Sequence, residues 1–584
     1  MTPENRSILW ASVVVDELAR HGVRWAVIAP GSRSTPLVAA LARHPDIQTI
    51  SIIDERSAAF VALGIGLVTG TPAVVACSSG TAAANFYPAV IEAKQACVPL
   101  LVLTADRPPE LRESGANQTI DQVRMYGSHV LWSVDVALPE QDPAALIVRS
   151  LRTLASRAVA RSLDAPCGPV HLNFPFRKPL EPTVVPTDVT RLFDTGRTDQ
   201  LPFTRVDKAI LEPSESQVES LIHAVENAHR AVIFAGPFTP ASDITEALAT
   251  FADTTGIPVL ADPLSNLRWS AVRTLGAYDS FGPLRDVLGT VDVWIQLGGQ
   301  PASKAVEDYL ASGAASRVIQ ISHDGVWRDP HHQLAELIHA SPAALFRRAT
   351  RMLRNESLID RHWVSQLWAR EGAVWRAYAE SSAWFDGSVV STCIESVPED
   401  SNVVIANSLP VRNVEQFVAP CSRTLHVYCN RGASGIDGTV STAFGAAVGS
   451  GRPTCLLIGD LALLHDIGGL LSATRVTAPI VIVVINNDGG GIFRRLPVRD
   501  FEPVFTELFL TPHGRTFEGA ASMYGLSYVS VQDVESLRRS VGSAMSDGTG
   551  WLIEAKTDSA NDLRVRSEMM QDAAQAVKHV FVEG

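Results

Sequence analysis

Short apolar runs rich in Val and Ile recur along the chain, separated by stretches in which apolar positions follow helical spacing. Within residues 1–185, the runs Trp25–Ala29, Thr49–Ile53, Ala73–Cys77 and Leu100–Thr104 predict strands. Their alternation with helices predicts a parallel α/β sheet. Thr35 followed by Pro36 reads as a helix cap and first turn, and Thr81 as the opening of a long apolar helix. Residues 186–207, with repeated Pro and Thr and little periodicity, read as a linker. A second α/β unit is expected over 208–350, with strands at Ala231–Ala235, Pro258–Ala261, Val291–Leu297 and Arg317–Ile321. A Trp-containing helical connector follows over 351–384. A third α/β unit over 385–584 has strands at Asn402–Ala406, Thr424–Tyr428, Thr454–Ile458 and Ile480–Ile485. The expected fold class is therefore α/β, with three consecutive open, mostly parallel domains.

The polar residues sharpen this pattern. In the first domain Ser32-Arg33, Asp54-Glu55, Ser78 to Thr81 and Asp106-Arg107 all fall just past an expected strand. In the third, Asn407-Ser408, Asn430-Arg431-Gly432, Gly459-Asp460 and Asn486-Asn487 do the same. Open parallel sheets bind ligands beyond the carboxyl ends of their strands, so two loaded sheet edges are expected.

Composition changes the picture in two ways. With 584 residues, 46% of them hydrophobic, the chain can bury several cores. The 62 acidic residues outnumber 49 basic ones, a formal net charge of −13. That balance disfavours nucleic acid and anionic membrane surfaces, so an anionic ligand needs locally placed Arg or Lys. The seven cysteines form no CxxC pair, which predicts neither a disulfide framework nor a zinc site and fits a reducing, cytoplasmic setting. The longest apolar run, 478–485, is too short to span a bilayer, and the first residues lack a secretory pattern.

The strongest chemical signal is Gly459-Asp460-Leu461, followed 27 residues after Asp460 by Asn487-Asp488-Gly489. That spacing fits one strand-to-strand crossover, placing Asp460 and Asn487 on one sheet edge. Their oxygens suit a hard cation such as magnesium bridging protein to phosphate. The pair resembles the GDG…NN motif of thiamin diphosphate enzymes, with Leu461 in place of the third glycine. The resemblance implies that Asp460, Asn487 and the carbonyl of Gly489 hold magnesium, or manganese in its place, on the cofactor diphosphate. It also implies cofactor contacts from Gly459, Leu461, Ser434, Gly435 and Ile436, the last as the apolar wedge between the cofactor rings. Glu55 then takes the place of the glutamate that hydrogen-bonds the aminopyrimidine ring and activates the cofactor, supplied across a dimer interface. Residues 1–185 and 385–584 correspond to the pyrimidine- and diphosphate-binding domains of that fold.

Longer strings narrow the resemblance. Ala29 to Leu37, Thr104 to Arg112, Gly115 to Gln122, Asn430 to Gly438 and Gly490 to Phe493 resemble the menaquinone-pathway 2-succinyl-5-enolpyruvyl-6-hydroxy-3-cyclohexene-1-carboxylate synthases over the whole chain. The resemblance implies a transferase that decarboxylates 2-oxoglutarate and adds the remaining fragment to isochorismate. Both substrates are dicarboxylates, which Arg binds bidentately. By resemblance, Ser32, Arg33, Arg107, Asn117 and Gln118 contact isochorismate or the covalent intermediate, and Ser408, Arg412 and Arg431 hold the distal carboxylate of 2-oxoglutarate. Ile492 and Phe493 fit either a substrate wall or core packing. Lys304 fits either an isochorismate contact or a solvated lysine, because Ala305 stands where some relatives carry a second cation. The active form implied is a homodimer or homotetramer. Two other readings fit parts of the pattern: another thiamin diphosphate-dependent 2-oxoacid decarboxylase or acetohydroxyacid synthase, and a degenerate regulatory subunit.

Overall fold

The computed structural model describes residues 3–190, 196–238, 242–355, 357–476 and 479–579. Residues 191–195 of the expected linker, residue 478 of the apolar run and residues 580–584 of the expected third domain lie outside them. The chain divides into two compact units. One comprises Met1–Lys208 with Asn430–Arg452 and Leu464–Ala478; the other comprises Ala209–Cys429, Pro453–Leu463 and Pro479–Gly584.

The first unit holds a six-stranded sheet of β1 (Trp25–Ile28), β2 (Gln48–Ser51), β3 (Ala73–Cys77), β4 (Leu100–Asp106), β5 (Trp132–Asp135) and β6 (Pro169–Pro175). All its pairs are parallel, in the order β2-β1-β3-β4-β6-β5. β3 and β4 are buried at every position because helices cover both faces, which explains their continuous apolar sequences. The helix Glu55–Thr69 is buried at every position from Ser57 to Gly66. It packs along Thr439–Ser450, whose residues Thr439–Ala447 are also all buried. Small residues permit this closeness: a Cβ on Gly64 would lie 2.2 Å from the Thr442 carbonyl oxygen, and one on Gly445 only 2.1 Å from that of Val61.

The second unit holds two further parallel sheets. The central one contains β7 (Ala231–Ala235), β8 (Val259–Ala261), β9 (Val293–Leu297), β10 (Val318–Ser322) and β11 (Leu334–His339), in the order β11-β10-β9-β7-β8. The other contains β12 (Asn402–Ile405), β13 (His426–Tyr428), β14 (Thr454–Gly459), β15 (Ile480–Asn486), β16 (Ser527–Val531) and β17 (Trp551–Lys556). Its order, β13-β12-β14-β15-β17-β16, repeats the topology of the first sheet. Three open parallel α/β sheets therefore agree with the expected fold class. Among the described residues no helix is long and apolar enough to cross a membrane.

Two local expectations are corrected. Thr35 lies inside its helix, Thr35–Arg43, whose N-cap position is Ser34; its hydroxyl donates to the carbonyl of Ser32 at 2.8 Å. The helix expected from Thr81 is two short ones, Thr81–Asn85 and Tyr87–Gln95, with Pro88 in the first turn of the second.

The helix contact gives a stability prediction. Gly445→Val forces a side chain against the Val61 carbonyl and is expected to destabilise by about 1–3 kcal/mol. Gly542→Ala, in the helix Val534–Asp547 with open space around it, is expected to stabilise by up to ~1 kcal/mol. Thermal midpoints of the two variants, moving in opposite directions, check this.

Candidate functional site

In an open parallel sheet the crevice forms where successive connections leave in opposite directions, between β1 and β3 in the first sheet and between β12 and β14 in the third. The candidate residues gather at these places. In the first unit Arg107 follows β4 directly, is buried, and donates from Nη1 to the Ser79 hydroxyl beyond β3. Ser79 donates in turn to the Gln118 carbonyl at 2.9 Å, and Gln118 Nε2 returns a bond to the Ser79 carbonyl at 2.9 Å. Arg33, in the single turn Ser32–Ser34 after β1, donates to the Phe176 carbonyl at 3.0 Å, while its buried Nε has no partner. Burial first, and then the nearby charge of Arg107, push the Arg33 guanidinium below its ordinary value. The charge of Asp106 opposes this shift. Ser32 and Asn117 are exposed along the same edge.

Glu55 opens its helix behind Asp54, which accepts from the Ser57 amide at 3.3 Å. Glu55 is half-buried, and its charge adds to burial in pushing the Cys77 thiol at the end of β3 well up. Arg56, the next residue, donates to the His465 carbonyl at 2.9 Å and lies 3.8 Å from buried Asp466. Asp466 also accepts from the Ser441 amide at 2.9 Å.

The loop Asn430–Gly438 belongs to this unit too. The buried Glu92 carboxylate accepts the amides of Gly432 at 2.7 Å and Ala433 at 2.6 Å, fixing the backbone that carries Arg431, Ser434, Gly435 and Ile436. A cavity of about 380 Å³ lies beside it, lined by Phe60, Tyr87, Ile91, Glu92, Asn430 and Asp437 among others. Ile436 is half-buried. Glu92 went unnoticed in the sequence because it reads as one acidic residue within a helix.

In the second unit Gly459 ends β14 and Asp460 begins the next helix. The Asp460 carboxylate is 2% exposed; Oδ1 accepts from the Leu461 amide at 2.6 Å and Oδ2 from the Gly489 amide at 2.9 Å. Burial pushes its carboxyl up, opposed by these bonds and by His513, whose Nε2 stands 3.2 Å from Oδ2. Gly489 has φ +128°, and a Cβ there would lie 2.1 Å from the Leu510 carbonyl oxygen, so only glycine fits. Its carbonyl accepts from the Gly491 amide at 2.9 Å and keeps a second lone pair. Asn487, just after β15, donates from Nδ2 to Asp386 at 2.8 Å, while its buried Oδ1 has no partner.

That orphaned oxygen is the test of fit for a divalent cation. A buried amide oxygen without a donor is costly, and a cation beside it would satisfy it. No group of three or more His, Cys, Asp or Glu side chains suited to a metal occurs among the described residues. The donor set here instead mixes a carboxylate, an amide and a backbone carbonyl, all oxygen, as magnesium prefers. The residues fit the group.

Ser408, after β12, has φ +73° and occupies the N-cap position of the helix Leu409–Phe417, from which Arg412 donates back to the Ser408 carbonyl at 2.6 Å. A serine held in this conformation is strained, as residues at ligand sites often are. Phe493 meets Phe509 edge-on at 5.4 Å, and both it and Ile492 are half-buried in the turn Gly491–Arg495. Lys304 stands apart: it begins the helix Lys304–Ala311 beside the central sheet, is exposed, and pairs with Asp308. Asp386 and His513 in the second unit, and Asp466 in the first, were not anticipated, because their partners Asn487, Asp460 and Ser441 lie 101, 53 and 25 positions away with no local motif.

Comparison with known proteins gives the family. Residues 10–125 match the family described as thiamine pyrophosphate enzyme, N-terminal TPP binding domain, and residues 411–555 its C-terminal TPP binding domain. A protein of Roseiflexus sp. (strain RS-1) named 2-succinyl-5-enolpyruvyl-6-hydroxy-3-cyclohexene-1-carboxylate synthase is 46% identical, covering 97% of this chain and 98% of that protein. A protein of the same name from Halobacterium salinarum (strain ATCC 29341 / DSM 671 / R1) is 42% identical over 97% of this chain and 98% of its own. The chain belongs to this synthase family. It is thus a thiamin diphosphate enzyme of the α/β class.

Asp466 gives a pH prediction. Burial, its largest influence, pushes the carboxyl from the ordinary 3.8 up to about 6, against the bonds from Ser441 and the charge of Arg56. The folded protein therefore binds a proton that the unfolded chain has released. Its contribution to stability is complete below about pH 4 and lost as pH rises through about 6. The difference in thermal midpoint between wild type and Asp466→Asn is expected to shift against wild type over that window and to level above it.

Proposed function

We propose that the protein is a thiamin diphosphate- and magnesium-dependent carboligase that joins 2-oxoglutarate, with loss of CO2, to isochorismate by conjugate addition. The product is 2-succinyl-5-enolpyruvyl-6-hydroxy-3-cyclohexene-1-carboxylate, made in menaquinone biosynthesis in the cytoplasm. The observation that carries this reading is the match to relatives of that name over 97% of the chain. The residues support it in chemical terms.

Bound thiamin diphosphate supplies the electron sink for decarboxylation. Asp460, Asn487 and the Gly489 carbonyl would hold magnesium, or manganese, on the diphosphate side, with Gly459 and Leu461 alongside. Ser434, Gly435 and Ile436 would line the cofactor where Glu92 fixes their loop. Glu55 would hold a proton at the aminopyrimidine ring nitrogen, a role that needs a carboxyl group at a sheet edge and partly out of water. Ser32, Arg33, Arg107, Asn117 and Gln118 would bind isochorismate; guanidinium N–H groups pair well with its carboxylates. Ser408, Arg412 and Arg431 would bind the distal carboxylate of 2-oxoglutarate, with Ile492 and Phe493 excluding water. Lys304, paired with Asp308, would serve isochorismate only after leaving that partner. The reading includes at least a homodimer, as dimer or tetramer, with Glu55 of one copy serving the cofactor held by another.

An assay containing 2-oxoglutarate, isochorismate, thiamin diphosphate and magnesium, each omitted in turn, tests this reading. Isochorismate consumption is expected only with all four present; pyruvate consumption without isochorismate would assign the chain to another thiamin diphosphate reaction. Glu55→Gln is expected to lower turnover by about 100-fold or more with an unchanged circular dichroism spectrum. Full activity in that variant would remove Glu55 from the mechanism.

A further inference from the structure

The orphaned oxygen of Asn487 has a counterpart on the other side of the same amide. Nδ2 of Asn487 points at Asp386 Oδ2, 2.8 Å away. Asp386 is 0% exposed, and its other oxygen, Oδ1, accepts from the Thr557 hydroxyl at 2.6 Å. Both carboxylate oxygens therefore face donors. An Asn487 side chain turned the other way would set its oxygen against the carboxylate and leave a buried N–H₂ where a cation ligand is needed. Asp386 itself is firmly placed. It opens the helix Asp386–Ser396, its amide donates to Asp562 at 3.2 Å, and neighbouring Trp384 donates from its ring to the carbonyl of Lys556 at 2.7 Å. Thr557, the residue after Lys556, also donates its amide to the carbonyl of Asn486, next to Asn487.

We infer that Asp386 is a positioning residue for the cation site: its buried carboxylate fixes the Asn487 amide so that Oδ1, and not Nδ2, is presented to the divalent ion. The inference rests on the cation-dependent function proposed above. The physical reason is complementarity. Ion-ligand oxygens are commonly oriented by a second partner, and losing that partner typically costs 10–100-fold in metal affinity. An amide is nearly symmetric in shape, so only its hydrogen-bond partner selects which end faces the ion.

The test uses the full chain, with Mn²⁺ as the probe and thiamin diphosphate present, and reads the ion's dissociation constant by electron paramagnetic resonance. Asp386→Leu, which keeps much of the volume but removes both acceptors, leaves nothing to select the orientation of the Asn487 amide and is expected to weaken Mn²⁺ binding 10–100-fold. Asp386→Asn is the conservative rescue: its amide can set Oδ1 toward Asn487 Nδ2 and its N–H₂ toward the Thr557 hydroxyl, which can accept, so its binding is expected within about fivefold of wild type. Two results would overturn the inference: Asp386→Leu binding within about twofold of wild type, or Asp386→Asn as weak as Asp386→Leu. If Asp386→Leu does not fold, Asp386→Asn alone decides, and binding tenfold or more below wild type overturns the inference. Wild-type protein that binds no Mn²⁺ with thiamin diphosphate would overturn the proposed function and the inference together. Normal wild-type binding with an unaffected Asp386→Leu would remove only the role of Asp386.

Discussion

Parallel strands all end at the same edge of their sheet, and that constraint governs the molecule. When connections then depart in opposite directions, as between β1 and β3 and again between β12 and β14, the two chains diverge and leave a crevice. Arg33, Arg107 and Gln118 collect at the first such edge, and Ser408, Asp460 and Asn487 at the second. Strand repetition alone provides two polar edges; the side chains there decide what each can bind.

Buried carboxylates do the local positioning. Glu92 fixes the loop of Ile436 by accepting two backbone amides, Asp466 anchors the start of the helix Thr439–Ser450 through the Ser441 amide, and Asp386 faces the Asn487 side chain. A carboxylate taken out of water loses hydration that only directed donors can replace, so each of these acids is tied to specific N–H or O–H groups. This makes them rigid struts, and it explains why acids sit deep in a protein whose acidic excess is otherwise surface charge.

The net charge of −13 is thus a poor guide to the ligands. Pairing at short range outweighs a diffuse surface field that salt screens within about 10 Å. Arg33 and Arg107 stand at the same strand-end edge, a local placement that composition does not reveal.

The sequence by itself determined several strands buried on both faces, such as β3, β4 and β15, because a short, continuous Val- and Ile-rich run bounded by turn residues fits a buried strand. It also determined the residues at strand ends, since Gly459-Asp460 and Asn487 form a local motif of fixed spacing. It missed β5, β11 and β16, edge strands only partly buried and mixed in polarity. It missed β6 and β17, whose apolar runs are broken by His171, Asn173 and Glu554, polar residues that the fold buries and pairs. The tertiary structure alone decided which distant group meets each motif. Asp386 precedes Asn487 by 101 positions, and only the folded second unit brings them together. Hydrogen bonds act over about 3 Å of space, whatever the distance along the chain.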